Sequence, residues 1–212
     1  MNKKLKIILF IILIIGTVSF TYATEYKTIQ LKDIKIDIPI EYQNGEILNS
    51  STHSTYRNFS DKNVFTVEVF EKYDNAFITN VGFWIKQSDS QERITINDRP
   101  ALFLKDDNMY QGPITKLIFE TDGKIVMINF PQSKELTDTG KHMVESTSPG
   151  IINAEQFYNI LNSSEKDYKQ YTKEQDQLNY AYEEGYYEGY DVGYTTGSPH
   201  GVISRIFNRV GL

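Results

Sequence analysis

Ile114-Thr-Lys-Leu-Ile-Phe-Glu120, Thr121-Asp122-Gly123, Lys124-Ile-Val-Met-Ile-Asn-Phe130 is the stretch that decides the fold. Two runs rich in β-branched and apolar residues flank an Asp-Gly pair. Asp-Gly tolerates the positive φ angles of a tight hairpin turn, so the stretch reads as two antiparallel strands. Pro131 closes the second strand, because proline cannot donate to a continuing ladder. Upstream, Arg93-Ile-Thr-Ile96, Asn97-Asp98 and Arg99-Pro-Ala-Leu-Phe-Leu104 repeat the pattern with an Asn-Asp turn. Together the two hairpins predict a four-stranded antiparallel meander.

Further strands lie before the meander. Tyr26 to Ile40 alternates, with Ile34, Ile36 and Ile38 on one face and Lys35 and Asp37 on the other, and reads as one half-buried strand ended by Pro39. Asn44-Gly45 is a turn pair. Asn63 to Glu71 is a second alternating strand, with Phe65, Val67 and Val69 facing together. Residues 75 to 87 admit two readings: Phe77, Val81 and Ile85 recur at helical spacing, with Asp74 or Asn75 as the cap, while the β-branched and aromatic composition and Gly82 also fit a strand.

After the meander, a Ser-, Thr- and Gly-rich stretch to Gly150 reads as a loop. Asn153-Ala-Glu-Gln156 is a capping box that opens a helix with Phe157, Ile160 and Leu161 as its apolar stripe. The expected class is therefore α+β: an antiparallel β-meander packed by a C-terminal helix, with a helical Tyr/Gly-repeat tail beyond it. The expected divisions are 1–23, a signal peptide; 24–162, the α+β sandwich domain; 163–181, a polar helical connector; 182–201, the repeat; and 202–212, a short amphipathic helix.

The repeat consists of four consecutive Tyr-x-x-Gly tetrads: Tyr182 with Gly185, Tyr186 with Gly189, Tyr190 with Gly193, and Tyr194 with Gly197; Gly201 extends the glycine row. In a helix interior each glycine costs about 1 kcal/mol against alanine. A glycine row also lets another backbone come close, and the tyrosines three positions earlier wall the groove so formed. These nine residues are the candidate contacts for a second copy of the chain or for another helical protein. A flexible low-complexity tail and a stacking platform for sugars are the alternative readings. Beyond the repeat, Val202, Ile203, Ile206, Phe207 and Val210 form an apolar face with Arg205 and Arg209 elsewhere.

The N-terminus points outside the cytoplasm. Lys3, Lys4 and Lys6 precede an apolar run from Ile7 to Phe20, and Thr21-Tyr22-Ala23 offers a peptidase site. That order is the secretory signal pattern, and the run is shorter than the ~20 residues a spanning helix needs. Cleaved, it leaves a secreted or cell-surface protein; uncleaved, residues 1–20 anchor it in a membrane. Residues 202–210 are a second candidate for membrane contact.

The chemistry-bearing residues point away from catalysis. The chain has 212 residues, no cysteine and a net charge of −6, and removing the three leading lysines leaves about −9. An acidic body repels phosphate backbones, so no nucleic-acid partner is expected. His53, His142 and His200 are isolated, and no phosphate loop, dinucleotide fingerprint or nucleophile elbow occurs. Asp106-Asp107-Asn108 lacks EF-hand spacing and reads as a solvated loop. Neither metal nor cofactor is expected. Asn49, Asn58 and Asn162 stand in glycosylation sequons. Phe83, Trp84 and Tyr110 are candidate walls of an aromatic ligand pocket for a small molecule or glycan, with the tail then a spacer.

Two resemblances follow from these residues. The Ile36-Asp-Ile-Pro39 strand end, the hairpin Ile94-Thr-Ile-Asn-Asp-Arg-Pro100, the hairpin Phe119-Glu-Thr-Asp-Gly-Lys124 and the helix start Ala154-Glu-Gln-Phe157 resemble PsbP/Mog1-like extracytoplasmic α/β-sandwich domains. That resemblance implies a binding or assembly accessory. The tail resembles the Gly-x-x-x-Gly helices of the flagellar export ATPase regulator and of a family of cytosolic iron-sulfur adaptors. It implies close helix packing.

Overall fold

The structure is a computed structural model that describes residues 24–60, 63–107, 112–131 and 133–196. It is an α+β fold built on a seven-stranded antiparallel sheet. The strands are β1 Tyr26–Leu31, β2 Ile34–Pro39, β3 Glu46–Asn49, β4 His53–Ser60, β5 Asn63–Phe70, β6 Ser90–Ile96, β7 Arg99–Asp106, β8 Ile114–Thr121 and β9 Lys124–Pro131. Their order in the large sheet is β3-β4-β5-β9-β8-β7-β6, while β1 and β2 pair separately.

Both predicted turns form as read. Asn97 and Asp98 have φ of 50° and 62°, and Asp122 and Gly123 have 49° and 75°. Positive φ at both central residues matches the right-handed twist of the flanking strands. Between β5 and β6 the chain crosses the sheet as one short helix, α1, through Asn75–Phe77, a π-helical turn Ile78–Gly82 and Phe83–Gln87. Asp74 caps it by accepting the Phe77 N–H at 3.1 Å.

Tyr26 to Ile40 is two strands and not one. The chain reverses at Lys32, whose φ is 56°, and Leu31 pairs with Ile34. The apolar positions mark the reversal, because the buried set shifts from Ile29 and Leu31 to Ile34, Ile36 and Ile38. The stretch read as a loop before Gly150 holds a helix, α2 Asp138–Glu145, capped by Thr137, which accepts the Gly140 N–H at 3.2 Å.

The sheet is covered on both faces. On one, the β1–β2 hairpin and α2 close over Phe65, Val67, Phe103, Leu117, Phe119 and Val126. On the other, α1 and the long helix α3, Ala154–Thr196, close over Phe70, Leu102, Leu104, Ile118 and Met127. Strand β8 is buried along its whole length, so its polar residues Thr115, Lys116, Glu120 and Thr121 are buried with its apolar ones.

A polar strap fixes the connection from α2 to α3. The buried Arg99 guanidinium donates to the Val144 carbonyl at 3.0 Å, Thr147 Oγ1 at 2.5 Å and the Ser148 carbonyl at 2.8 Å. The buried Glu120 carboxylate accepts the N–H groups of Gly123 at 2.5 Å and of Ile151 at 2.8 Å. Burial lowers the Arg99 pKa, and the Glu120 charge opposes that shift. α3 then starts on the predicted capping box: Asn153 Oδ1 accepts the Gln156 N–H at 2.9 Å, and Gln156 Oε1 accepts the Asn153 N–H at 3.2 Å.

Candidate functional site

α3 has 43 residues, ~65 Å of helix at about 1.5 Å per residue. Its first turns are part of the core, with Phe157, Leu161 and Ser164 buried. Gly82 makes that seat tight. A Cβ at Gly82 would lie 2.9 Å from both the Ser164 carbonyl carbon and the Tyr168 Cβ, so only glycine lets α1 approach the α3 backbone this closely. From Glu165 onward no described side chain is buried. Tyr180, Tyr182, Tyr186 and Tyr187 are 68%, 63%, 55% and 68% exposed, so the helix leaves the body and runs into solvent.

A groove lies where α3 leaves the sheet. Phe70, Phe77, Ile125, Ile152 and Ile160 give it apolar walls, and its volume is about 570 Å³. At one end the Tyr73 hydroxyl donates to Asp167 Oδ2 at 2.6 Å. Burial and the Asp167 charge both push the Tyr73 pKa upward, so the phenol stays a donor. Asp167 also lines a shallower trough of about 290 Å³ in which Asn75, Ile78 and Thr79 of α1 face Gln170, Tyr171 and Glu174. Groove and trough meet at Asp167 and follow one flank of α3, bordered in turn by Asn159, Ser163, Asp167, Gln170 and Glu174. Steps of three and four keep to one face of a helix. The same steps continue from Glu174 to Leu178, Ala181, Gly185 and Gly189, so the glycine row continues that flank of the helix.

The predicted tail residues fall on α3 as far as the structure describes them. Tyr182, Gly185, Tyr186, Gly189, Tyr190, Gly193 and Tyr194 stand on the helix, whereas Gly197 and Gly201 lie outside the described residues. Of the predicted aromatic pocket, Phe83 and Trp84 are neighbours on α1, with ring centroids 4.9 Å apart, and Tyr110 lies outside the described residues. Phe83 packs on Tyr168 of α3 at 5.7 Å. Trp84 covers the buried Lys116 of β8, whose Nζ lies 3.6 Å from the ring centroid. Both rings therefore join elements of the body.

Lys116 carries no signal in the sequence, because β8 also holds Thr115, Glu120 and Thr121 and its burial on both faces comes from the sheet. Its amine donates to Asn129 Oδ1 at 2.8 Å. Burial pulls its pKa down to about 8, against the opposing charges of Glu68 and Asp106. The indole face favours the charged form and offsets part of that cost. Asp106 moves the other way, raised by burial and by the Asp89 charge.

Among the described residues no cluster of three or more His, Asp or Glu is placed to hold a metal ion. No described helix is long and apolar enough to cross a membrane. No family model and no curated protein matches the chain. A crystal structure from Bacteroides thetaiotaomicron VPI-5482 is similar to it at 10% identity, over 84% of this chain and 67% of that one, with a TM-score of 0.33. A likeness at that level carries no functional argument.

Proposed function

We propose that the chain is a non-enzymatic interaction protein acting outside the cytoplasm, whose body holds one end of α3 rigidly so that its projecting half pairs with a second copy. One observation carries this reading: α3 continues for ~48 Å beyond Ser164, its last buried position among the described side chains, and Tyr180, Tyr182, Tyr186 and Tyr187 along it are exposed. A polar helix holding glycines every fourth residue is marginal by itself. Pairing would bury the exposed rings and offset the cost of the glycines. The basic-then-apolar N-terminal segment supports an extracytoplasmic location.

Sedimentation equilibrium of the chain over a range of concentrations tests the reading. A reversible monomer–dimer equilibrium is expected. A monomer at every concentration overturns self-association. For location, mass spectrometry of the exported protein should find a mature N-terminus at Thr24.

A further inference from the structure

Lys116 of β8 and Asn129 of β9 are cross-strand partners, so their side chains share one face of the sheet. Both are nearly sealed from water, at 5% and 7% exposed. The buried Leu104 of β7 flanks Lys116 on its other side, and the Trp84 ring roofs the amine. The amine donates to Asn129 Oδ1 at 2.8 Å, and a carbonyl bond is about 1.23 Å long, so Asn129 Cγ lies no more than ~4 Å from Nζ. Asn129 Nδ2 donates to the Val64 carbonyl at 2.6 Å. That bond fixes the amide with its oxygen toward the lysine.

A hydrated lysine and a hydrated asparagine do not react at neutral pH. The fold changes three terms of that chemistry. Burial lowers the proton affinity of the Lys116 amine, so more of it is present as the free nucleophile. The two groups are held in contact in place of a chance encounter. Water, the competing nucleophile, is kept out. A carboxylate is also at hand to move a proton. Glu68 of β5 exerts the larger charge effect on Lys116, ahead of Asp106 of β7. It stands two residues along from Thr66, the cross-strand partner of Asn129, and His53 holds it, with Nε2 3.1 Å from Glu68 Oε2.

We infer that Lys116 and Asn129 join in an intramolecular isopeptide bond, with Glu68 as the proton carrier. The Lys116 lone pair attacks Asn129 Cγ. The Nζ–Cγ bond forms, the Cγ–Nδ2 bond breaks, and one amine proton passes through the Glu68 carboxyl to Nδ2, which leaves as ammonia. Nothing is oxidised or reduced, and no co-reactant is needed. The bond staples β8 to β9, the middle strand of the sheet, in a chain that has no cysteine for a disulfide. The titrating amine belongs to the unlinked chain, the form in the structure; the bond removes its charge.

Mass spectrometry of the folded full-length protein tests the bond. The intact mass should fall short of the sequence mass, counted from its N-terminus, by one ammonia. Trypsin should not cut after Lys116, and residues 106–124 should appear joined to 125–134. Succinimide formation at Asn129 loses the same ammonia but leaves those peptides separate, so the branched peptide is the deciding signal. Separate unmodified peptides 106–116, 117–124 and 125–134 overturn the bond. Glu68→Gln should keep the far-ultraviolet circular dichroism of the parent and stay unlinked, whereas Asp106→Asn should link as the parent does. A Glu68→Gln chain linked as completely as the parent overturns the part given to Glu68 and leaves the bond standing.

Discussion

The two halves of α3 are one helix made in two ways. Up to Ser164 it is held by what it touches: Phe157 and Leu161 are buried against the sheet, and Gly82 gives α1 its close approach. Beyond Tyr168 no described side chain is buried, Gln170, Tyr171 and Glu174 face α1 across the trough, and local pairs such as Lys169 with Glu165, 2.6 Å apart, are what the chain supplies. Exposed pairs of that kind contribute only ~0.3–0.5 kcal/mol. Glycine serves opposite ends in the two halves. Gly82 closes an intramolecular contact, whereas Gly185 and Gly189 stand on the flank of α3 that continues beyond the groove.

Substitutions can break this comparison at either end. Phe157→Ala should have the largest effect, lowering folding stability by about 3–5 kcal/mol in a denaturant titration. The matching change in the projecting half, Tyr186→Ala, should alter folding stability by no more than ~0.5 kcal/mol while weakening self-association. Equal effects of the two on folding would mean that the projecting half is part of the body's cooperative unit. Gly82→Ala should cost about 1–3 kcal/mol, because the Ser164 backbone cannot move aside as a side-chain end would.

Lys116 gives a pH-dependent contrast between the body and the projecting half. Its pKa in the folded protein, about 8, lies below the 10.5 of the unfolded chain. Between those values the unfolded chain binds more protons, so stability rises with pH. Folding stability should increase by about 1–2 kcal/mol from pH 8 to ~9.5, and Lys116→Met should remove that rise. Above ~10 the trend reverses, because Tyr42, Tyr56, Tyr73 and Tyr158 all hold their protons more tightly when folded. Among the changes within the body the smallest expected is that of Asn153→Ala at the start of α3, about 1 kcal/mol.

The central hairpins were legible because their turns need residues that tolerate positive φ, and Asn97-Asp98 and Asp122-Gly123 advertise it. The capping box of α3 was legible for a similar reason, since Asn153 and Gln156 satisfy each other's backbone donors. The β1–β2 reversal was hidden because Lys32 takes its positive φ with no Gly or Asn to mark it. Strand β3 is exposed along its whole length and β4 is largely polar, so neither shows a strong alternation. Helix α2 buries Met143 and Val144 but carries Gly140, and its composition reads as loop. The groove could not be read at all. It is made where Ile125, Ile152, Phe70 and Ile160 meet from four parts of the chain, and no local pattern records that meeting. The glycine row was conspicuous, but placing Gly185 and Gly189 on the same flank as Asp167 requires that α3 be one continuous helix, which the structure supplies through Thr196.

The central claim is that the projecting half of α3 is a pairing surface and not a free tail. Sedimentation velocity of the full chain beside Gly189→Leu/Gly193→Leu, with far-ultraviolet circular dichroism on both, tests it most directly. The account predicts a dimer for the parent and a monomer for the variant, with helicity in the variant equal or higher because two glycine costs of about 1 kcal/mol each are removed. A variant that dimerises as well as the parent, or a parent that never dimerises, would contradict it.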